Sequence, residues 1–182
     1  MRPLLLLSCV LCCSACIVPA PSTESAPERQ KAVLANAPAL QLPSGANLGD
    51  KIEITSLTIQ PGVASPGEAV KVSAFYKVLA DMDTDYLVFV HVEDVDGKVE
   101  RLNADHPAAG GTVPTSKWKK GETIRDDFQV YVPPTMQVRG LNLLMGFWDP
   151  KTDARLPLKN VDAIRHDGQN RILIGQIPVQ AQ

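Results

Sequence analysis

The sequence predicts an all-β protein, a single antiparallel β-sandwich of the immunoglobulin-like or jelly-roll kind. Three observations carry this. Ala69–Leu79 alternates apolar and polar residues with period two, as a half-buried strand does. Fifteen prolines and twelve glycines punctuate the chain with turns. No segment has the long 3.6-residue periodicity of a crossover helix, which excludes parallel α/β folds.

The first residues read differently from the rest. One positive charge, Arg2, precedes the short apolar run Leu4–Leu7, the pattern of a secretory signal peptide and too short to cross a bilayer. All four cysteines, Cys9, Cys12, Cys13 and Cys16, fall within this region, so they form no disulfide framework for a domain that starts later. Ser14-Ala15-Cys16 puts two small residues before a cysteine and is followed at once by linker composition. It resembles the lipobox of bacterial lipoproteins, departing from it in having Cys13 where leucine is common. The resemblance implies residues 1–15 as signal peptide, Cys16 as the lipidated new N-terminus and a membrane held through the lipid anchor. Ile17, rather than aspartate, after the cysteine implies the outer membrane, without saying which side. Residues 16–49, rich in Pro, Ala, Ser, Glu and Gln and free of aromatics, are expected to be a flexible tether with a coil dimension of about 30 Å.

The domain is expected over residues 50–182. Lys51–Gln60 changes apolar phase from Ile52/Ile54 to Leu57/Ile59, which calls for a bulge near Thr55-Ser56. Tyr86–Val95 is apolar on both faces and should be a central strand. Asp96-Gly97 signals a type I′ turn into Lys98–Asn103. Glu122–Val132 is a strand halted by Pro133-Pro134. Leu141–Trp148, Arg155–Leu158 and Arg171–Val179 complete the set.

Further motifs punctuate these strands: Asp85–His91, Asp105-His106-Pro107, Pro114-Thr115-Ser116, Trp118, Gly121-Glu122, Asp126-Asp127, Gly146–Pro150 and Arg155-Leu156-Pro157. Together, over Lys51 to Val179, they resemble a bacterial β-sandwich module. That module is found C-terminal in some integral-membrane glycosyltransferase-like proteins and in stand-alone surface proteins. The resemblance implies an extracytoplasmic, carbohydrate-associated setting and brings no catalytic residues with it.

Composition excludes some functions. A net charge of −2 and the absence of a Lys/Arg-rich run give nucleic acid nothing to bind. No G-x-S-x-G, phosphate-cradling glycine loop or HExxH occurs, so no enzyme and no cofactor are expected.

The candidate ligand-binding residues are Trp118, Lys117, Lys119, Asp105 and His106. An exposed indole stacks on sugar rings, and flanking cations and carboxylates reach hydroxyls; the competing reading folds Trp118 back as a plug for the sandwich end. His91, Asp105 and His106, with Asp126 or Asp127, are weighed as metal ligands against packed and turn-capping roles. Asp81, Asp83 and Asp85 have the spacing of a calcium-loop start but lack its continuation, which favours a solvated acidic turn. Asp126 shares a core face with Ile124, Phe128 and Val130 and needs a partner there, with Arg101, Arg139 and His106 as candidates. The resulting expectation is a non-enzymatic interaction or assembly module for an envelope protein. The alternative is a carbohydrate-binding module for a surface or periplasmic glycan.

Overall fold

The computed structural model describes residues 39–180. The signal-peptide and Cys16 readings, and most of the tether, lie outside these residues. Ten strands, β1 (Leu40–Leu48), β2 (Ile52–Gln60), β3 (Ala69–Val78), β4 (Leu87–Asp94), β5 (Leu102–Asn103), β6 (His106–Pro107), β7 (Thr123–Tyr131), β8 (Gly140–Asp149), β9 (Ala154–Arg155) and β10 (Ile172–Pro178), build the fold. Three short 3-10 turns accompany them, and no α-helix occurs among the described residues. One sheet runs β1-β2-β3-β7; the other runs β10-β8-β4-β5, with β6 added to β4 and β9 to β8. Every pairing between these strands is antiparallel. The chain is an all-β antiparallel sandwich.

The core lies between the two sheets. Val70, Val72, Ala74, Tyr76 and Val78 of β3 are buried on one face while Lys71 and Lys77 face solvent. β4 and β8 sit side by side and contribute Val88, Val90, Val92 and Leu141, Leu143, Met145, Phe147. In β2 the register against β3 shifts between Ile54 and Ser56. That bulge at Thr55 restores the phase, so Ile52, Ile54, Leu57 and Ile59 are all fully buried.

Two local expectations are corrected. Residues 40–48, expected in the tether, belong to the sandwich instead, because Leu40–Leu48 pairs along β2. Its alternation is broken by a register shift between Pro43 and Ala46, with Gly45 at φ +97°, and this made the segment look like linker. An edge strand tolerates Pro43 because its missing N–H need not join a ladder. Second, Asp96-Gly97 is not a type I′ turn, since only Gly97 takes positive φ (+66°). The Asp94 carboxylate accepts the N–H groups of Asp96 (3.0 Å) and Lys98 (2.8 Å), and this Asx arrangement sets the turn. Of Lys98–Asn103, only Leu102 and Asn103 pair with β4. The turn with positive φ at both central residues joins β1 to β2 instead, through Gly49 (+63°) and Asp50 (+55°).

Candidate functional site

Trp118 is fully buried: of its two readings the structure takes the plug of the sandwich end, and no exposed stacking platform is there. Its indole N–H donates to the Val113 carbonyl at 2.9 Å, and its ring packs 6.1 Å from Tyr76 and 6.2 Å from Phe147. Burying the large apolar indole at the sandwich end outweighs any benefit of leaving it in water. The loop that carries it is tied down by side chains from 81–85. Asp85 Oδ1 accepts the Ser116 N–H at 3.1 Å, and Thr115 Oγ1 accepts the Tyr86 N–H at 2.7 Å. Asp81 takes Lys119 Nζ at 3.0 Å and the Lys120 N–H at 2.9 Å. Asp81 and Asp85 thus pin a loop, while among the described residues Asp83 bonds only its neighbour Thr84. Lys117 and Lys119 remain exposed but flank no open aromatic face.

His106 and Asp105 go to different places. His106 of β6 pairs opposite the core residue Val88 and so points between the sheets. There Asp126, fully buried on β7, accepts three donors: Tyr76 Oη at 2.9 Å and His106 Nε2 at 2.9 Å on Oδ2, and the Ala109 N–H at 3.0 Å on Oδ1. His106 Nδ1 lies 2.7 Å from the Ala104 carbonyl. Both ring nitrogens therefore face acceptors, which calls for a proton on each. Burial opposes that charge, but the hydrogen bond to Asp126 and the Ala104 carbonyl outweigh it and hold the imidazole above its ordinary range. Burial, reinforced by the charge of Asp126, keeps the Tyr76 hydroxyl protonated far into the alkaline range. Phe128 covers the His106 ring at 4.6 Å. Among the sequence candidates, His106 is the partner Asp126 required, and the cluster joins the two sheets rather than opening to solvent.

His91 points the other way, outward from the six-stranded sheet, because β4 alternates and Val90 and Val92 take the inward positions. Its Nδ1 lies 3.3 Å from Arg171 and 3.4 Å from Arg101, and guanidinium groups only donate, so Nδ1 accepts and the proton sits on Nε2. Burial first, then the Arg101 charge, hold this imidazole below its ordinary range, with Asp105 opposing. His91 and His106 thus occupy opposite faces of one sheet and cannot share a metal ion. Among the described residues no group of three His, Cys, Asp or Glu side chains is placed to hold one.

The outward face around His91 carries an open groove of about 440 Å³ lined by Phe89, His91, Asp105, Trp148, Asp153, Arg155 and Asn170. β4 and β8 are its floor. Phe89 stands opposite Gly146 in the register, and a Cβ on Gly146 would fall 2.6 Å from the Phe89 ring, so only glycine lets that ring lie flat across the sheet. Trp148 pairs with Arg155 across β8 and β9. Arg155 lies over the Phe89 ring at 4.9 Å and donates to the Gln169 carbonyl at 3.0 Å. Asn170 Oδ1 accepts the Leu158 N–H at 3.0 Å, and Asp105 Oδ1 accepts the Val90 N–H at 2.8 Å. The indole N–H of Trp148, a half-buried residue, is shielded and makes no hydrogen bond among the described residues, a cost of about 1–3 kcal/mol. Of the sequence candidates only Asp105, together with His91, belongs to this groove. Neither Phe89 nor Trp148 stands out in the sequence, because their strands are apolar on both faces.

No family model and no curated protein matches the chain significantly. Among solved structures, the chain is similar to the C-terminal domain of Wzt, with 13% identity, 82% of each chain covered and a TM-score of 0.48. It is also similar to a Niemann-Pick type C2 protein from the Japanese carpenter ant, with 14% identity, a TM-score of 0.42, and 63% of this chain and 91% of that one covered.

Proposed function

We propose that the protein is a non-enzymatic recognition module of the bacterial envelope that takes a saccharide in the outward groove of its six-stranded sheet. Lipidated Cys16 holds it to the outer membrane. The observation that carries this reading is the groove itself: a half-buried indole beside two carboxylates, an amide, an imidazole and a guanidinium. A sugar offers an apolar C–H face and a rim of hydroxyls, and this lining answers both. The ring stacks against Trp148, Asp105 and Asp153 accept from hydroxyls, and Asn170 and Arg155 donate to sugar oxygens. Its volume falls within the roughly 300–1,000 Å³ typical of small-ligand sites. Its floor is paired strand rather than loop, which fixes the geometry. A lipid anchor at Cys16 would concentrate the domain at a glycan-bearing surface.

The test is calorimetric titration of soluble oligosaccharides into the full-length lipoprotein in detergent micelles. Wild type should bind at least one saccharide, and Trp148→Ala should abolish that binding while the fold persists. Unaltered affinity in Trp148→Ala would remove the groove from consideration.

A second reading, docking of an envelope protein, is favoured by one observation. Among the described residues β7 is a nine-residue edge strand that pairs with β3 alone. Its free side is open to strand addition, although Arg125 and Asp127 blunt it with charge. Crosslinking in the native membrane followed by mass spectrometry should then recover a stoichiometric partner joined through β7.

A further inference from the structure

The groove's unanswered charge specifies its ligand further, on the footing of the saccharide reading above. Three guanidinium groups surround His91. Arg171 is neutralised, with Asp167 at 2.6 Å and Glu93 as its second partner. Arg101 and Arg155 are not. Among the described residues Arg101 reaches only the neutral Nδ1 of His91, and Arg155 only the Gln169 carbonyl and the Phe89 ring.

The remaining polar groups follow from their existing bonds. His91 keeps its proton on Nε2, because Nδ1 accepts from arginine. Asn170 spends its oxygen on the Leu158 N–H and presents its amide N–H₂ as a donor. Donors therefore outnumber acceptors around the groove, and Asp105 already uses one oxygen on the Val90 N–H. Asp105 and Asp153 repel an anion placed over them and suit hydroxyl donors, which leaves Arg155 and Asn170 as the place for negative charge. Arg155 is held in advance by Phe89 beneath it and Gln169 beside it, so its planar fork meets an oxyanion without first being ordered.

We infer that the groove reads an acidic saccharide, one carrying a carboxylate or phosphate, and that Arg155 is the residue that reads it. Arg101 adds attraction at longer range. Hydroxyls of the same sugar donate to Asp105 and Asp153.

Oligogalacturonate, its fully methyl-esterified counterpart and glucose 6-phosphate, titrated into the full-length protein in detergent micelles at low and high salt, test this. The acidic oligosaccharide should bind about ten- to hundredfold more tightly than its ester, the range expected for one charge-assisted, bidentate contact. Arg155→Gln should erase the difference by weakening the acid far more than the ester. Arg155→Lys should recover only part of it, and Arg101→Gln should mainly flatten the salt dependence. Tighter binding of glucose 6-phosphate than of the uronate would support the inference with phosphate as the anion. Equal binding of acid and ester by wild type would overturn it and leave the saccharide reading standing. Binding of none of the three would overturn the inference, and failure across neutral saccharides too would take the broader reading with it. Thermal unfolding of each variant separates lost recognition from lost fold.

Discussion

His106 Nε2 sits 2.9 Å from Asp126 Oδ2, and this contact joins the two sheets of the sandwich. His106 belongs to the six-stranded sheet through β6, Asp126 to the four-stranded one through β7. A fully buried carboxylate is tolerated there because Tyr76 and the Ala109 N–H occupy its other lone pairs.

Removing one side of that pair should be costly. We expect Asp126→Ala to lower unfolding free energy by about 3–5 kcal/mol, since a buried imidazolium is left without its counter-charge. Tyr76→Phe should cost about 1 kcal/mol, because the carboxylate keeps two donors. Urea denaturation measures both. Near-equal effects would show that Tyr76, not His106, is the partner that matters.

The same pair sets a pH dependence of known sign. The folded state holds the His106 pKa above the ordinary 6.5, so the folded state binds the proton more tightly. Its stabilisation is complete below about pH 6.5 and is lost as pH rises through the folded pKa. His91, held below 6.5, acts oppositely: its contribution is present above that value and fades as pH falls through the folded pKa. The His106 part is isolated by subtracting the stability curve of His106→Gln from that of wild type. The gap should be level in mild acid and narrow at alkaline pH; a gap that widened with pH would contradict the assignment.

Trp118 should behave as core. Trp118→Ala removes the ring packed on Tyr76 and Phe147 and should destabilise by about 3–5 kcal/mol. The folded fraction should bind saccharide as wild type does. Lost binding with stability intact would instead return the site to the 105–120 loop.

Much of the strand structure was legible in the sequence because strand periodicity is local. The alternation of Ala69–Leu79, the two-faced apolarity of Tyr86–Val95 and Leu141–Trp148, and the phase switch at Thr55 each reflect one segment's relation to a buried face. The need of Asp126 for a partner was legible in the same way. β1 was not, since its bulge between Pro43 and Ala46 breaks the period that would have marked it.

The amino-acid sequence by itself therefore determined an all-β sandwich, its central strands and its unusual buried carboxylate. Only the tertiary structure decided that Trp118 closes the sandwich end, that His91 and His106 face opposite ways, and that Phe89, Asp105, Trp148, Arg155 and Asn170 line one groove. Period-two alternation says that two faces exist. Which apolar residue of a two-faced strand meets the core, and which is left beside polar groups outside it, depends on what the neighbouring strands and loops cover.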